Sequence, residues 1–386
     1  MKQFETRAIR IQTERTQHHE HSTPIFPTSS FTFDDAEQMR ALFAEEQEGN
    51  IYSRFSNPTV REFELKMASL EGTEEAVATA TGMAAIYSTL ATLLEQGDHV
   101  VACRSIFGSS YQILTQYLVK WGISHTFVDA KHPDQWGKAI EPASRILFIE
   151  TPSNPGLDII DLDWAARFAH DHGMLLVVDN CFATPYLQTP TQWGADIITH
   201  SATKFIDGQG RVLGGVICGS REHVKSIHKF IRNTGPSLSP FNAWILSKSL
   251  ETLAVRMDRH CEQAFKLAIE LKDHPKLSAV QYPFLAEHPG HAIAIRQMRA
   301  GGGLLTFEIK GGLEAGRQFM DRLQMITITA NLGDTRTIAT HPASSTHSKL
   351  PVAERERVGI TDGLIRVSVG LEHADDILQD IVQALE

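Results

Sequence analysis

The sequence predicts an α/β protein with a mostly parallel central sheet and a smaller C-terminal α+β domain. Three observations carry this. Short β-branched apolar runs alternate with helical stretches from about residue 74 to 220, the pattern of strands buried on both faces by crossover helices. The texture changes after Pro240, where strands become fewer. The first 55 residues are irregular and rich in Thr, Ser, Pro and His, and they read as an arm. The implied division is an arm over 1–55, a large domain over 56–240 and a smaller one over 241–386.

Strands are expected at His99–Ala102, His125–Val128, Arg145–Glu150, Met174–Asp179, Asp196–His200 and Gly214–Gly219, each a short apolar run. Helical patterns fill Met83–Glu95, Tyr111–Trp121 and Leu162–His172. Phe241 to Lys272 contains no Gly or Pro and reads as a long helical region. Strands at Leu304–Ile309, Ile326–Ala330 and Leu364–Val369 follow, then a terminal helix over Ala374–Leu385.

Composition narrows the function. Hydrophobic residues make up 42% of the 386 and charged residues 21%, enough for a large core and too apolar for global disorder. The 36 Lys and Arg against 46 Asp and Glu leave a net charge of −10, which repels phosphate backbones and argues against nucleic acid as a partner. No stretch approaches the roughly 18 apolar residues of a membrane helix, and Met1–Arg15 lacks the apolar run of a signal peptide. Cys103, Cys181, Cys218 and Cys261 are widely spaced and form no Cys-x-x-Cys pair, so no disulfide framework or zinc ribbon is indicated. The expectation is a soluble, reduced, cytoplasmic protein.

In open α/β sheets ligands sit beyond the carboxyl ends of the strands; two motifs fall there and a third opens a helix. Met174–Asp179 is an apolar run ending in a carboxylate; by itself such an Asp is more often a helix cap or a metal ligand than a cofactor partner. Asp196–Lys204 ends in Ser201, Thr203 and Lys204. A lysine in a desolvated, partly cationic pocket has a lowered pKa, and its neutral amine is a nucleophile towards carbonyls. Ala80–Ala85 opens a helix at Gly82 and Met83, where free backbone N–H groups can hold an anion.

Together these motifs describe a site for pyridoxal phosphate, which needs a lysine for its aldehyde, an acid for its ring nitrogen and a phosphate cup. Lys204, Asp179 and the group Gly82, Met83, Ser201 and Thr203 supply them. Two other patterns are set aside. Gly208–Gly214 has one residue too many for a dinucleotide loop and precedes a strand instead of following one. The cluster His18, His19, His21 has no carboxylate or Cys at ligand spacing, so no metal is expected.

Ser201-Ala-Thr-Lys204, Asp179-Asn180 and Tyr52-Ser-Arg54-Phe-Ser-Asn-Pro-Thr59 resemble the Cys/Met-metabolism family of pyridoxal-phosphate enzymes over nearly the whole chain. Within it the likeness is strongest to the sulfhydrylases of O-succinylhomoserine. The runs Arg104–Ser109, Asp207–Arg211, Asn331–Arg336 and Thr340–His347 carry that likeness. The resemblance implies a fold type I, aminotransferase-like architecture, a homoserine ester and sulfide as substrates, and homocysteine for methionine biosynthesis as product. It also implies a homo-oligomer, a dimer of dimers whose active sites are shared between subunits.

Residue by residue, the resemblance makes Lys204 the cofactor-bearing base, Asp179 the ring-nitrogen partner and Asn154 the contact to the ring hydroxyl. Tyr52, also in a catalytic role, and Arg54 would reach the phosphate of the neighbouring subunit. Asn331 and Arg366 would bind substrate, the arginine gripping its α-carboxylate; an internal ion pair is the other reading of Arg366. Phe107 would stack on the ring where many relatives have tyrosine, and Ser109 stands where methionine γ-lyases tend to carry cysteine. Both favour a sulfhydrylase over a lyase that relies on the tyrosine hydroxyl. Cys181 reads as core packing or, less simply, as a reactive thiol. Cystathionine γ-synthase, O-acetylhomoserine sulfhydrylase and γ-lyase activities remain alternatives, with a catalytically silent binding protein as the reading from another class.

Overall fold

The computed structural model describes residues 2–346, 348, 352, 355 and 359–386. The central sheet has seven strands: β1 (Glu75–Thr79), β2 (His99–Cys103), β3 (Ser124–Val128), β4 (Ser144–Glu150), β5 (Leu175–Asp179), β6 (Ile197–Ser201) and β7 (Gly215–Gly219). Their spatial order is β1-β7-β6-β5-β4-β2-β3. Only β7 runs against the rest, pairing antiparallel with both β1 and β6. The carboxyl ends of β1, β2, β4, β5 and β6 therefore share one edge. Val100, Val101, Leu147, Val178 and Ile198 are among the fully enclosed residues of these strands, which is why the runs show no polar alternation.

The edge strand β1 was not among the expected elements. Glu75–Thr79 is short and alanine-rich, and pairing with β7, rather than intrinsic propensity, makes it a strand. The expected helix over Tyr111–Trp121 is irregular: a short helix over Gly108–Gln112 widens into a π-helical turn at Ile113–Tyr117 and tightens into a 3₁₀ turn at Leu118–Trp121.

A second sheet follows, in the order β10-β11-β12-β9-β8, from β8 (Leu277–Gln281), β9 (Leu304–Ile309), β10 (Thr327–Ile328), β11 (Ile338–Thr340) and β12 (Leu364–Ser368). Its core contains Leu267 and Leu271 of the helix Leu253–Leu271, Phe319 of the helix Gly312–Arg322 and Ile377 of the helix Ala374–Leu385. The strand expected over Ile326–Ala330 is reduced to Thr327–Ile328, and β8 and β11 are additional. Among the described residues no helix is long and apolar enough to cross a membrane.

The helical region after Pro240 is two helices, Pro240–Leu250 and Leu253–Leu271. At the break, the Ser249 carbonyl accepts from Arg256 Nη2 at 2.9 Å. That buried guanidinium also donates to the Phe205 carbonyl at 2.6 Å and the Ile206 carbonyl at 3.1 Å. A break with no Gly or Pro thus serves to clamp the peptide directly after Lys204. Gly208 is part of the same clamp: it has φ 71°, and a Cβ there would lie 2.0 Å from Arg256 Nη1. Its glycine answers to packing, not to a phosphate.

Candidate active site

A cavity of about 250 Å³ opens at the shared carboxyl edge. It is lined by Gly82, Met83, Phe107, Asn154, Asp179, Ser201, Thr203, Lys204 and Arg366 of the expected site, and also by Glu150, Cys181, Phe182, Leu213 and Leu332. The last residues of β4, β5 and β6, namely Glu150, Asp179 and Ser201, all line it.

Asp179 closes β5 and is 7% exposed, with Oδ1 accepting from the Cys181 N–H at 3.1 Å. Burial pushes its pKa up to about 6, with the neighbouring His200 imidazole pulling the other way. The support behind it is polar. Glu71 ends the helix Pro58–Glu71, which is capped by Asn57 and stopped at Gly72 (φ 72°). Its carboxylate meets His200 Nε2 at 2.6 Å and Asn180 Nδ2 at 2.9 Å.

Glu150 was missed. It ends β4 as Asp179 ends β5, the two are Cα partners across the ladder, and it is 3% exposed. Burial and the Asp179 charge push its carboxyl well above the ordinary range. The signal that singled out Asp179, an apolar run closing on a carboxylate, was equally present in Arg145–Glu150.

The anion end is built on the helix Gly82–Leu93, whose first-turn N–H groups lack intrahelical partners. Thr81 caps it, accepting from the Ala84 N–H at 3.0 Å. A Cβ on Gly82 would lie 2.5 Å from Ser201 Cβ, so only glycine lets β6 come this close. The Thr203 hydroxyl and the Gly214 backbone exchange bonds of 3.2 and 3.3 Å, fixing the turn that presents Lys204.

Lys204 Nζ donates to Asn331 Oδ1 at 2.7 Å. Burial, with the Arg366 charge assisting, holds its ammonium below the usual lysine range. Arg366 lies in β12 and is 5% exposed. It donates through Nη1 to Asn154 Oδ1 at 2.9 Å, and through Nη2 to the Asn331 carbonyl at 3.0 Å and Thr340 Oγ1 at 3.3 Å. Among the described residues its Nε has no partner, and burial lowers its pKa to about 10. Among the described residues it forms no ion pair, so the internal-pair reading is set aside: this is a buried cation served only by neutral oxygens.

Phe107 is 43% exposed with its ring at the cavity, and its N–H donates to Glu150 Oε2 at 2.7 Å. Cys181 is enclosed, and burial pushes its thiol far up, which fits packing better than reactivity. Tyr52 and Arg54 are not brought to this cavity. The Tyr52 ring is 40% exposed, and Arg54 lies over it at 5.4 Å and donates to the Arg232 carbonyl. His347 lies outside the described residues.

A nucleophilic amine, a buried acid, a helix N-terminus with two hydroxyls and an exposed aromatic ring around one cavity fit pyridoxal phosphate, and this fold with this site is that of a fold type I pyridoxal-phosphate enzyme. The chain belongs to the Cys/Met metabolism PLP-dependent enzymes, whose family model matches residues 5–386. It is 46% identical over 382 residues to the O-succinylhomoserine sulfhydrylase of Pseudomonas aeruginosa, covering 99% of this chain and 95% of that one. An L-methionine gamma-lyase of Fusobacterium nucleatum subsp. polymorphum is 44% identical, at 99% and 97% coverage. Among solved structures, a putative O-acetylhomoserine (thiol)-lyase of Campylobacter jejuni with N'-pyridoxyl-lysine-5'-monophosphate superposes with a TM-score of 0.95 at 33% identity, covering 99% of each chain. MetB of Corynebacterium glutamicum gives 0.93 at 34% identity, covering 100% of this chain and 98% of that one.

Proposed function

We propose that this enzyme is an O-succinylhomoserine sulfhydrylase, replacing the γ-succinyl group of its substrate with sulfide to give L-homocysteine for methionine biosynthesis. The observation that carries the reading is Arg366: a buried cation that has no counter-charge among the described residues, joined through Asn331 to the lysine amine. That spacing suits an amino acid whose carboxylate completes the arginine while its α-carbon lies within reach of Lys204. The hydroxyl-free ring of Phe107 and the likeness to the Pseudomonas sulfhydrylase favour replacement.

When bound, pyridoxal phosphate supplies an aldehyde for amines and a ring that accepts electrons. Lys204 would hold it, Asp179 would keep a proton on its ring nitrogen, and Gly82, Met83, Ser201 and Thr203 would take its phosphate. Phe107 would cover one face and Asn154 its hydroxyl. Lys204 then takes the α-proton of the substrate and later returns one. Succinate leaves from the γ-carbon, where hydrosulfide adds.

Tyr52 and Arg54, on the 1–55 arm and outside their own chain's cavity, would complete the phosphate site of a neighbouring subunit, and Tyr52 would act there in catalysis. The oligomer would be a dimer of dimers in the cytoplasm. Residues 56–240 would form the cofactor-binding domain and 241–386 the smaller one.

The test is product analysis with sulfide and the succinyl, acetyl and phosphoryl esters of homoserine in parallel, then with cysteine, then with methionine alone. Homocysteine formed fastest from the succinyl ester supports the proposal. Fastest turnover of methionine alone would replace it with γ-lyase activity, the second reading, which the Fusobacterium relative favours.

A further inference from the structure

Glu150 has no part in the roles assigned so far, yet it touches most of them. Its Oε2 accepts the Phe107 N–H at 2.7 Å, and the Asn154 N–H also favours its charged form. It is the Cα partner of Asp179 at the ends of adjacent parallel strands, about 4.8 Å apart by ladder geometry, so the two side chains leave the same face of the sheet. Both line the cavity, at 3% and 7% exposure. Among the described residues neither forms an ion pair with a lysine or arginine. Burial raises both carboxyls and the Asp179 charge raises Glu150 further, so the pair resists giving up its second proton.

The groups around the pair decide where that proton resides. Asp179 has His200 beside it, and across the cavity lie Lys204 and Arg366. Glu150 has the Asp179 charge and two neutral amides. We propose that Glu150 is a positioning residue of the cofactor cradle: a protonated carboxyl that fixes the Phe107 loop and leaves the negative charge of the pair on Asp179. One residue would thereby tie the covering ring to the ring-nitrogen acid.

The inference rests on the reading of Asp179 given above, so Asp179→Asn is measured beside the Glu150 variants. The readouts are the dissociation constant for pyridoxal phosphate and the pH midpoint of the visible absorption band of the loaded protein. Glu150→Gln, a neutral isostere, should keep the dissociation constant within about twofold and the midpoint in place, because it reproduces a protonated acid. Glu150→Leu strands the Phe107 N–H and should weaken cofactor binding by about tenfold or more. If Glu150→Leu does not fold, Glu150→Asp, which withdraws the acid by one methylene, takes its place under the same thresholds. A displaced midpoint in Glu150→Gln would show a charged Glu150 and overturn the inference, as would wild-type cofactor affinity in Glu150→Leu. If Asp179→Asn binds the cofactor as tightly as wild type, the reading of Asp179 itself fails. Loss in Asp179→Asn without loss in Glu150→Leu sinks only the role of Glu150.

Discussion

The two charged ends of the cavity are built on opposite plans. At the sheet edge, Asp179 stands beside a second buried carboxyl, Glu150, and burial raises its pKa to about 6. On β12, Arg366 is enclosed among neutral oxygens, and among the described residues it has no counter-charge and an unpartnered Nε. The first end has surplus negative charge and the second unanswered positive charge. Removing a charge from water without a partner is costly, so each end is unfavourable until something of opposite sign arrives. On the proposed roles, the cationic ring nitrogen of the cofactor would answer one, and the carboxylate of an amino acid would answer the other.

The largest expected effect lies between the two ends. Lys204 reaches Asn331, whose carbonyl also serves Arg366. Lys204→Ala should abolish turnover and leave no borohydride-trappable cofactor on the protein by mass spectrometry. Residual turnover near that of wild type would break the assignment of the amine. Next is Arg366→Leu. Losing one partner of a buried charge pair costs about 2–5 kcal/mol, so kcat/KM should fall by roughly 30-fold to several-thousand-fold, chiefly through KM. An amine lacking the α-carboxylate should bind the variant and the wild type alike. An unchanged KM for the amino acid would refute the carboxylate role.

The same contrast explains what the sequence made legible. Asp179, Ser201 and Lys204 stand at the ends of apolar runs, and a strand end in an α/β sheet is a place that pattern alone can find. Glu150 carries the same local signal, but its importance comes from β4 lying beside β5 in register, a fact of pairing order rather than of pattern. The edge strand β1 was invisible because Glu75–Thr79 owes its conformation to β7. The break after Leu250 was hidden because its partner, Arg256 bonding to Ser249 and to the distant Phe205, is tertiary. Arg366 was found in the sequence, while the absence of a counter-charge for it among the described residues required coordinates.

A pH dependence separates the ends further. The free protein holds the Asp179 pKa near 6, above the ordinary 3.8, while a cofactor held as proposed would favour the ionised form. Cofactor affinity should therefore fall as pH drops below about 6, by up to about tenfold per unit. In the unliganded chain the sign is the reverse for stability. Between about pH 4 and 6 the unfolded carboxylate has lost its proton and the folded one keeps it, so stability from this group falls as pH rises. Asp179→Asn should flatten both dependences. Equilibrium dialysis and denaturant titration across that range provide the measurements.

The smallest expected effect is at Phe107, which joins the acid end only through its backbone. Phe107→Tyr adds a hydroxyl to an exposed ring at the cavity without disturbing that amide. A phenol there can carry a proton during elimination. The release of α-keto acid, from methionine or from the ester without sulfide, should rise a few-fold relative to homocysteine formation, with KM little changed. An unaltered partition would remove this ring as the source of reaction choice and place it in the groups that meet the γ-carbon, leaving Phe107 as a covering surface whose position, not its chemistry, matters.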